Sequence, residues 1–206
     1  MLHQRIGMCY TSAKRWAVRR MSDNSAHTAQ GEAILKNGQK LIIRRPTPED
    51  APQMVAYLNR VGGESDNLLF GENEFRLNVE QEADYLRAMA AEPASCMLIA
   101  CAGDEIISVA QISSLKRPRN AHNAEIAINV AKSWWGRGVG TVMMERLIAF
   151  ARATGTVRNI TLGVRSGNDA AIALYEKMGF RRVGTHRDYF FIHGQYYDEH
   201  LMDLQI

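Results

Sequence analysis

One short segment limits the fold more than any other feature of this sequence: a glycine-rich turn between a predicted strand and a predicted helix. The run Ala124–Val130 is mostly apolar and predicts a strand, and Trp135–Thr141 follows it with a glycine at every second position from 136 to 140. Apolar residues then recur at helical spacing, at Val139, Met143, Leu147 and Phe150. Such a turn lets a ligand approach the main chain where the first N–H groups of a helix have no partner.

The turn therefore predicts a site for a phosphate or pyrophosphate. Two familiar phosphate loops do not match it. A dinucleotide-binding G-x-G-x-x-G segment would need glycine at position 141, where Thr141 stands, and a P-loop would end in G-K-S or G-K-T, which the segment lacks. The glycines alone leave open a purely structural turn without a ligand.

The order of the predicted elements indicates an α/β sandwich, with one central mixed, mostly antiparallel sheet flanked by helices. Strands are predicted at 41–45, 96–101, 106–115, 124–130, 159–164, 183–192 and 196–204. Helices are predicted at about 49–60, 79–91, 138–153 and 169–178. Because strands and helices do not alternate throughout, a doubly wound Rossmann chain is excluded.

The chain is expected to have two parts. Residues 22–38 are polar and aperiodic, so we predict a flexible basic N-terminal extension at 1–38 and a single domain at 39–206. The five basic residues of the first twenty positions have no acid among them; they are Arg5, Lys14, Arg15, Arg19 and Arg20. The remainder holds 20 basic against 22 acidic residues, so the charge balance of the predicted domain does not indicate a class of partner. A start at Met21 is left open.

Composition argues against several classes of protein. Cys96 and Cys101 lie five apart on one predicted strand and so on opposite faces, and three cysteines are too few for a disulfide scaffold. No apolar run approaches the ~20 residues of a membrane span, and no Cys/His cluster has metal-ligand spacing. We expect a cytoplasmic protein with reduced thiols, no metal and no membrane partner. Nucleic-acid binding through the basic tail ranks last, and a homodimer is left open.

A second motif narrows the interpretation of the glycine turn as a phosphate site. Asn168 begins the run N-x-x-A-x-x-L-Y-E-K-x-G-F, which ends at Phe180. The two motifs in this order resemble the GCN5-related N-acetyltransferase (GNAT) superfamily over residues 41–206, and within it the branch that acts on ribosomal proteins, polyamines and small amines. The resemblance implies direct transfer of an acetyl group from acetyl-CoA to a primary amine acceptor in a ternary complex. A non-catalytic module that binds or senses acyl-CoA is the alternative.

The resemblance implies a cofactor site built mainly from main-chain atoms. Gly138 and Gly140 match the family motif [Q/R]-x-x-G-x-[G/A], whereas Trp135 stands in the Gln/Arg position. The main chain near Ile128 and Val130 would pair with the pantetheine. The residues implied to contact the pyrophosphate are Gly136, Arg137, Gly138, Val139, Gly140 and Thr141.

Three side chains each have two interpretations. Asn168 is a good N-cap for the helix at 169–178, and the resemblance adds a contact to the cofactor. Tyr175 lies on an apolar stripe of that helix and is explained by core packing, whereas the resemblance implies that it protonates the departing thiolate. Glu125 is explained as a solvated strand carboxylate, whereas the resemblance implies that it accepts the amine proton, directly or through water.

Other ionisable groups are weaker candidates. Acidic side chains that could attract a cationic amine, or simply face solvent, are Glu64, Asp66, Glu72, Glu74, Asp188, Asp198 and Glu199. Reserve bases, for which the sequence indicates no partner, are His122, His186, His193 and His200.

Overall fold

The computed structural model describes residues 29–206. The strands are β1 Gly31–Ile34, β2 Lys40–Arg44, β3 Cys96–Ala102, β4 Glu105–Ser114, β5 Asn123–Val130, β6 Asn159–Arg165, β7 Arg181–Ile192 and β8 Gln195–Gln205. The helices are α1 Ala51–Gly62, α2 Val79–Ala91, α3 Val139–Thr154 and α4 Asp169–Lys177, with short 3-10 turns at Pro48–Asp50 and Lys132–Trp134. None of the helices within these residues is both long and apolar enough to cross a membrane.

All eight strands form one sheet in the order β1-β2-β3-β4-β5-β6-β8-β7. Every neighbouring pair is antiparallel except β5 and β6, which run parallel. The predicted mixed, mostly antiparallel sheet flanked by helices is therefore confirmed.

The parallel pair is short, and this opens the sheet. β5 and β6 pair through only three residues of each strand, Asn123–Glu125 with Asn159–Thr161. Beyond Glu125, β5 stays paired with β4 as far as Val130, and beyond Thr161, β6 stays paired with β8 as far as Arg165. Within the described residues, neither strand has a strand partner on the side that faces the other. We call the wedge between residues 126–130 and 162–165 the β5–β6 cleft.

The sheet has a hydrophobic core on each face. One core, under α3 and α4, contains Ala124 and Ile126 of β5; the other, under α1 and α2, lies against β3 and β4. Alternation along β5 therefore places the Glu125 side chain on the α1/α2 face. Cys96 and Cys101 belong to different cores, which confirms that they point to opposite faces.

Glycines end the two helices that follow the cleft strands. Gly155 ends α3 in a left-handed conformation, with φ of 65°. After α4, Gly179 donates to the carbonyl of Glu176 at 2.9 Å and Phe180 donates to that of Tyr175 at 3.0 Å, the paired bonds of a Schellman motif. The apolar stripe predicted for α3, from Val139 to Phe150, is buried as expected.

The structured part begins earlier than the predicted boundary at residue 39. β1 pairs with β2, and both Ala29 and Leu35 are buried. The Arg146 guanidinium of α3 donates to the carbonyls of Ala29, Gly31 and Glu32 at 3.2, 3.2 and 2.8 Å. This four-residue strand is too short to show an apolar alternation, so the expectation of a flexible lead-in is corrected for residues 29–38. The basic residues of the first twenty positions and Met21 lie outside the described residues.

Candidate active site

The turn after β5 presents a row of main-chain donors. Six successive backbone N–H groups, from Gly136 to Thr141, donate to no residue within 29–206. Gly138 occupies the N-cap of α3 and provides no side-chain cap. The positive end of the helix dipole adds to these donors, so an anion would be stabilised here.

The three glycines of this turn serve two different purposes. Gly136 and Gly138 have φ of 72° and 90°, which other residues adopt only with strain. Gly140 is instead constrained by packing, since a Cβ atom there would lie 3.0 Å from Leu174 Cδ2 of α4. The first two glycines therefore shape the turn, and the third lets α4 approach the start of α3.

Trp135, the residue that departs from the family motif, fixes the turn to the end of β5. Its indole Nε1–H donates to the Val130 carbonyl at 2.7 Å, while the ring remains 45% exposed. Arg137 is engaged elsewhere, with its guanidinium 5.0 Å from the Trp134 ring and 3.2 Å from Gln39 Oε1. The sequence did not indicate either contact.

The edge of β5 directs further main-chain groups into the cleft. Leu115 N–H donates to the Asn123 carbonyl, and Ala131 N–H donates to the Ile107 carbonyl, both at 2.9 Å, so the odd-numbered residues of β5 bond towards β4. Main-chain groups alternate in direction along a strand, so those of even-numbered residues such as Ile128 and Val130 face the cleft. The Val130 carbonyl is taken by Trp135, which leaves its N–H directed towards the opening.

Asn168 and Tyr175 lie near opposite ends of α4, and their contacts do not choose between the two interpretations made for each. Asn168 Oδ1 accepts the Ala171 N–H at 3.4 Å, which is the N-cap contact. Tyr175 is 8% exposed and packs in the core under α3 and α4. Burial raises its pKa to about 12, so the phenol carries its proton at neutral pH. Within residues 29–206, the Tyr175 hydroxyl has no hydrogen-bond acceptor.

Glu125 stands where the cleft opens. It is exposed, and it lies opposite Ser113 on β4 and Thr161 on β6, the last residue of β6 that pairs with β5. Glu125 and Tyr175 therefore lie on opposite faces of the sheet.

The structure also brings together two residues that the sequence left without partners. The Nδ1 atom of His186 lies 2.9 Å from Oε2 of Glu199, and Glu199 is only 7% exposed. The His186 ring stacks on Tyr189 with centroids 5.4 Å apart. Burial, followed by the negative charges of Glu199 and Glu125, raises the pKa of Tyr189, so both carboxylates act on the same hydroxyl.

Other acidic candidates have structural contacts. Glu64 accepts the Lys132 N–H at 2.5 Å, and Asp66 lies 3.4 Å from His193 Nε2. Within residues 29–206, no three His, Cys, Asp or Glu side chains come together as a metal site would require.

Known proteins are similar to this chain in sequence. An L-amino acid N-acetyltransferase, AaaT, of Escherichia coli is 31% identical over 128 residues, 61% of this chain and 79% of that protein. The N-alpha-acetyltransferase RimI of Mycobacterium tuberculosis is 38% identical over 104 residues, 50% of this chain and 63% of that protein.

Solved structures share the fold. A GNAT-family acetyltransferase from Streptococcus pneumoniae superposes with a TM-score of 0.78 at 32% identity, over 81% of this chain and 99% of that one. The yncA protein of Salmonella typhimurium, solved with acetyl-CoA, superposes with a TM-score of 0.70 at 19% identity, over 80% and 93% of the two chains.

The split sheet, the donor turn and these relatives define the class of N-acetyltransferases. Residues 66–180 match the model of the Acetyltransferase (GNAT) family, and the chain belongs to that family. It is an acyltransferase.

Proposed function

We propose that this protein transfers the acetyl group of acetyl-CoA to a primary amine by direct attack in a ternary complex. The observation that carries the proposal is the row of main-chain donors at the turn Gly136–Thr141 together with the unpaired β5 edge of the neighbouring cleft. Coenzyme A combines a pyrophosphate with an extended amide-containing arm, and the row and the edge suit these two parts. The structure of yncA with acetyl-CoA supports the assignment by analogy of fold.

Each part of the cofactor is assigned to a group in the cleft. The N–H groups of Gly136–Thr141 hold the pyrophosphate, and the Asn168 side chain adds a contact while it caps α4. Ile128 and Val130 pair with the pantetheine as an added strand would. The Val130 N–H polarises the thioester carbonyl and stabilises the charge that develops on its oxygen.

The reaction then uses one side chain from each face of the sheet. An alkylammonium with a pKa of about 10 must first lose a proton, which passes to Glu125 directly or through water. The amine nitrogen attacks the thioester carbon, the C–N bond forms, the C–S bond breaks, and Tyr175 gives its proton to the departing sulfur. The nitrogen loses its second proton to solvent as the intermediate collapses, Tyr175 regains a proton from solvent and Glu125 releases one, so ammonium and acetyl-CoA yield amide, CoA and one proton.

A primary amine is proposed as the acceptor class because the relatives carry names that differ in acceptor but share that group. They include an L-amino acid N-acetyltransferase, an N-alpha-acetyltransferase and a phosphinothricin N-acetyltransferase. A cytoplasmic setting completes the proposal, in keeping with a chain that has only three cysteines.

The experiment that tests the proposal follows thiol release from acetyl-CoA in the presence of amines, amino acids and peptides. Release that depends on the amine, with the acetylated product identified by mass spectrometry, is the expected result. Tight binding of acetyl-CoA with no turnover across the panel would overturn the proposal and favour an acyl-CoA sensor.

A further inference from the structure

The face of the sheet that carries Glu125 holds a second carboxylate, which the proposed mechanism does not use. Glu199 of β8 is 7% exposed, and within residues 29–206 its hydrogen-bond partner is His186. Arg165 lies directly opposite Glu199 on β6, but its guanidinium turns instead to Asn67 Oδ1 at 3.1 Å and to the Tyr197 ring at 4.9 Å. Removing a carboxylate from water costs free energy that one imidazole offsets only in part.

The second oxygen of this carboxylate lies on the wall of the cleft. A Cβ atom at Gly163 would overlap Glu199 Oε1 and would lie 2.5 Å from Glu199 Cδ. Gly163 is exposed and stands two residues beyond Thr161, where β6 loses its partner β5. The absence of a side chain at Gly163 therefore lets the carboxylate rest against the cleft wall.

An irregularity in β7 places the imidazole there. Next to the hairpin turn, Phe190 pairs with Tyr197, and that register continued without a break would set Asp188 opposite Glu199. The strand instead shifts by two residues between His186 and Phe190, with Asp188 at a φ of 53°. The shift replaces a facing pair of acids with a carboxylate and an imidazole.

We infer that Glu199, held by His186 above Gly163, binds the protonated amine of the acceptor. The inference rests on the proposed function for the identity of the ligand. An ammonium at this position would donate a charge-assisted hydrogen bond to Glu199 and would lie on the same face as Glu125, which takes its proton. The Tyr189 ring, stacked on His186, borders the site.

The same arrangement sets a preference among amines. A free α-amino acid carries a carboxylate beside its amine, and that carboxylate would face the charges of Glu125 and Glu199. We therefore expect n-pentylamine to bind better than L-norleucine, which is the same amine with a carboxylate on the first carbon.

The test measures binding of n-pentylamine to the CoA-saturated protein by NMR titration, which requires no turnover. Glu199→Gln keeps the shape and removes the charge, and it is expected to weaken n-pentylamine binding about 10-fold or more, since hydrogen bonds to charged groups contribute roughly 1.5–3 kcal/mol. Glu145→Gln, an exposed change on α3, controls for the loss of one negative charge and is expected to leave the affinity unchanged.

A second pair of variants keeps every charge. Gly163→Ala fills the space of the Glu199 carboxylate and is expected to weaken n-pentylamine binding. Gly184→Ala on β7 is the control, because its Cβ atom would lie 3.6 Å or more from Leu201, an ordinary contact distance. This variant is expected to bind n-pentylamine as the wild type does.

Three results would overturn the inference: no binding to the wild type, unchanged affinity in Glu199→Gln, or an equal loss of CoA affinity in that variant, which would mark Glu199 as structural. If n-pentylamine binding depends on Glu199 but no amine releases thiol, the ammonium site stands and the proposed transferase activity fails.

Discussion

Glu82 on α2 is a buried acid, and the amount by which it lowers the free energy of unfolding can be measured directly. Its side chain is 2% exposed, and its Oε2 atom has no hydrogen-bond partner among the described residues. Burial raises the pKa of this carboxyl from 4.5 to about 7. The change Glu82→Gln replaces it with an uncharged group of the same shape.

The sign of the effect follows from proton linkage. Between pH 4.5 and 7 the folded protein holds the Glu82 proton that the unfolded chain has lost, so wild-type stability falls as pH rises through this window. A shift of this size corresponds to roughly 3 kcal/mol at pH 8 and to less than about 1 kcal/mol at pH 5. Glu82→Gln avoids this penalty, so it is expected to be more stable than the wild type by about 3 kcal/mol at pH 8, with the difference shrinking towards pH 5.

Urea unfolding at pH 5, 6, 7 and 8 measures this difference. Glu80→Gln is the matched control, since Glu80 lies in the same first turn of α2 but is exposed. It is expected to show a stability difference of less than about 1 kcal/mol from the loss of a favourable charge at the helix N-terminus. A stability difference between Glu82→Gln and wild type that does not change with pH would refute the reasoning.

Three further changes test the cofactor turn, the proposed acid and the N-terminal strand. Gly138→Ala is expected to weaken CoA binding about 10-fold or more, measured by calorimetry. Gly155→Ala is the control, because it lies at the other end of α3 with a similar left-handed φ and introduces only the backbone strain, about 1–2 kcal/mol. Equal CoA affinities in the two variants would contradict the assignment of the donor turn. Tyr175→Phe is expected to lower kcat for thiol release about 100-fold or more with little change in the KM for acetyl-CoA, and an unchanged kcat would leave Tyr175 a core residue. Arg146→Ala is expected to lower the free energy of unfolding by about 1–3 kcal/mol and to speed amide exchange in β1, and exchange at the wild-type rate would show that the strand does not depend on this clamp.

Local sequence patterns predicted most of the fold because most of its helices and strands have the residue patterns typical of their type. The helix predicted at 79–91 is α2 to the residue, and α3 begins within one residue of its predicted start. These elements have apolar periodicity and clear end signals. β1 has neither, since Gly31–Ile34 is held by strand pairing and by Arg146, and so it was missed.

Contacts between distant positions were less predictable. The row of N–H groups at Gly136–Thr141 could be expected from glycine spacing, but the packing role of Gly140 depends on Leu174 of another helix. His186 and Glu199 meet only because β7 shifts register by two residues between them and the turn. No propensity or periodicity in β7 marks that shift, although Asp188 is a residue type that tolerates a positive φ.

The cleft and the donor turn are two consequences of one topological feature. A parallel pair cannot be closed by a tight hairpin, so the chain must cross from the end of β5 to the start of β6, and α3 is that crossover. The crossover begins at the carboxyl end of β5, which is also the end where β5 and β6 have separated. The free N–H groups of α3 therefore lie beside the mouth of the β5–β6 cleft, where the even-numbered residues of β5 also direct their main-chain groups. A single parallel pair between two antiparallel blocks thus places an anion site next to an unpaired strand edge, which is the combination that the proposed coenzyme A site uses.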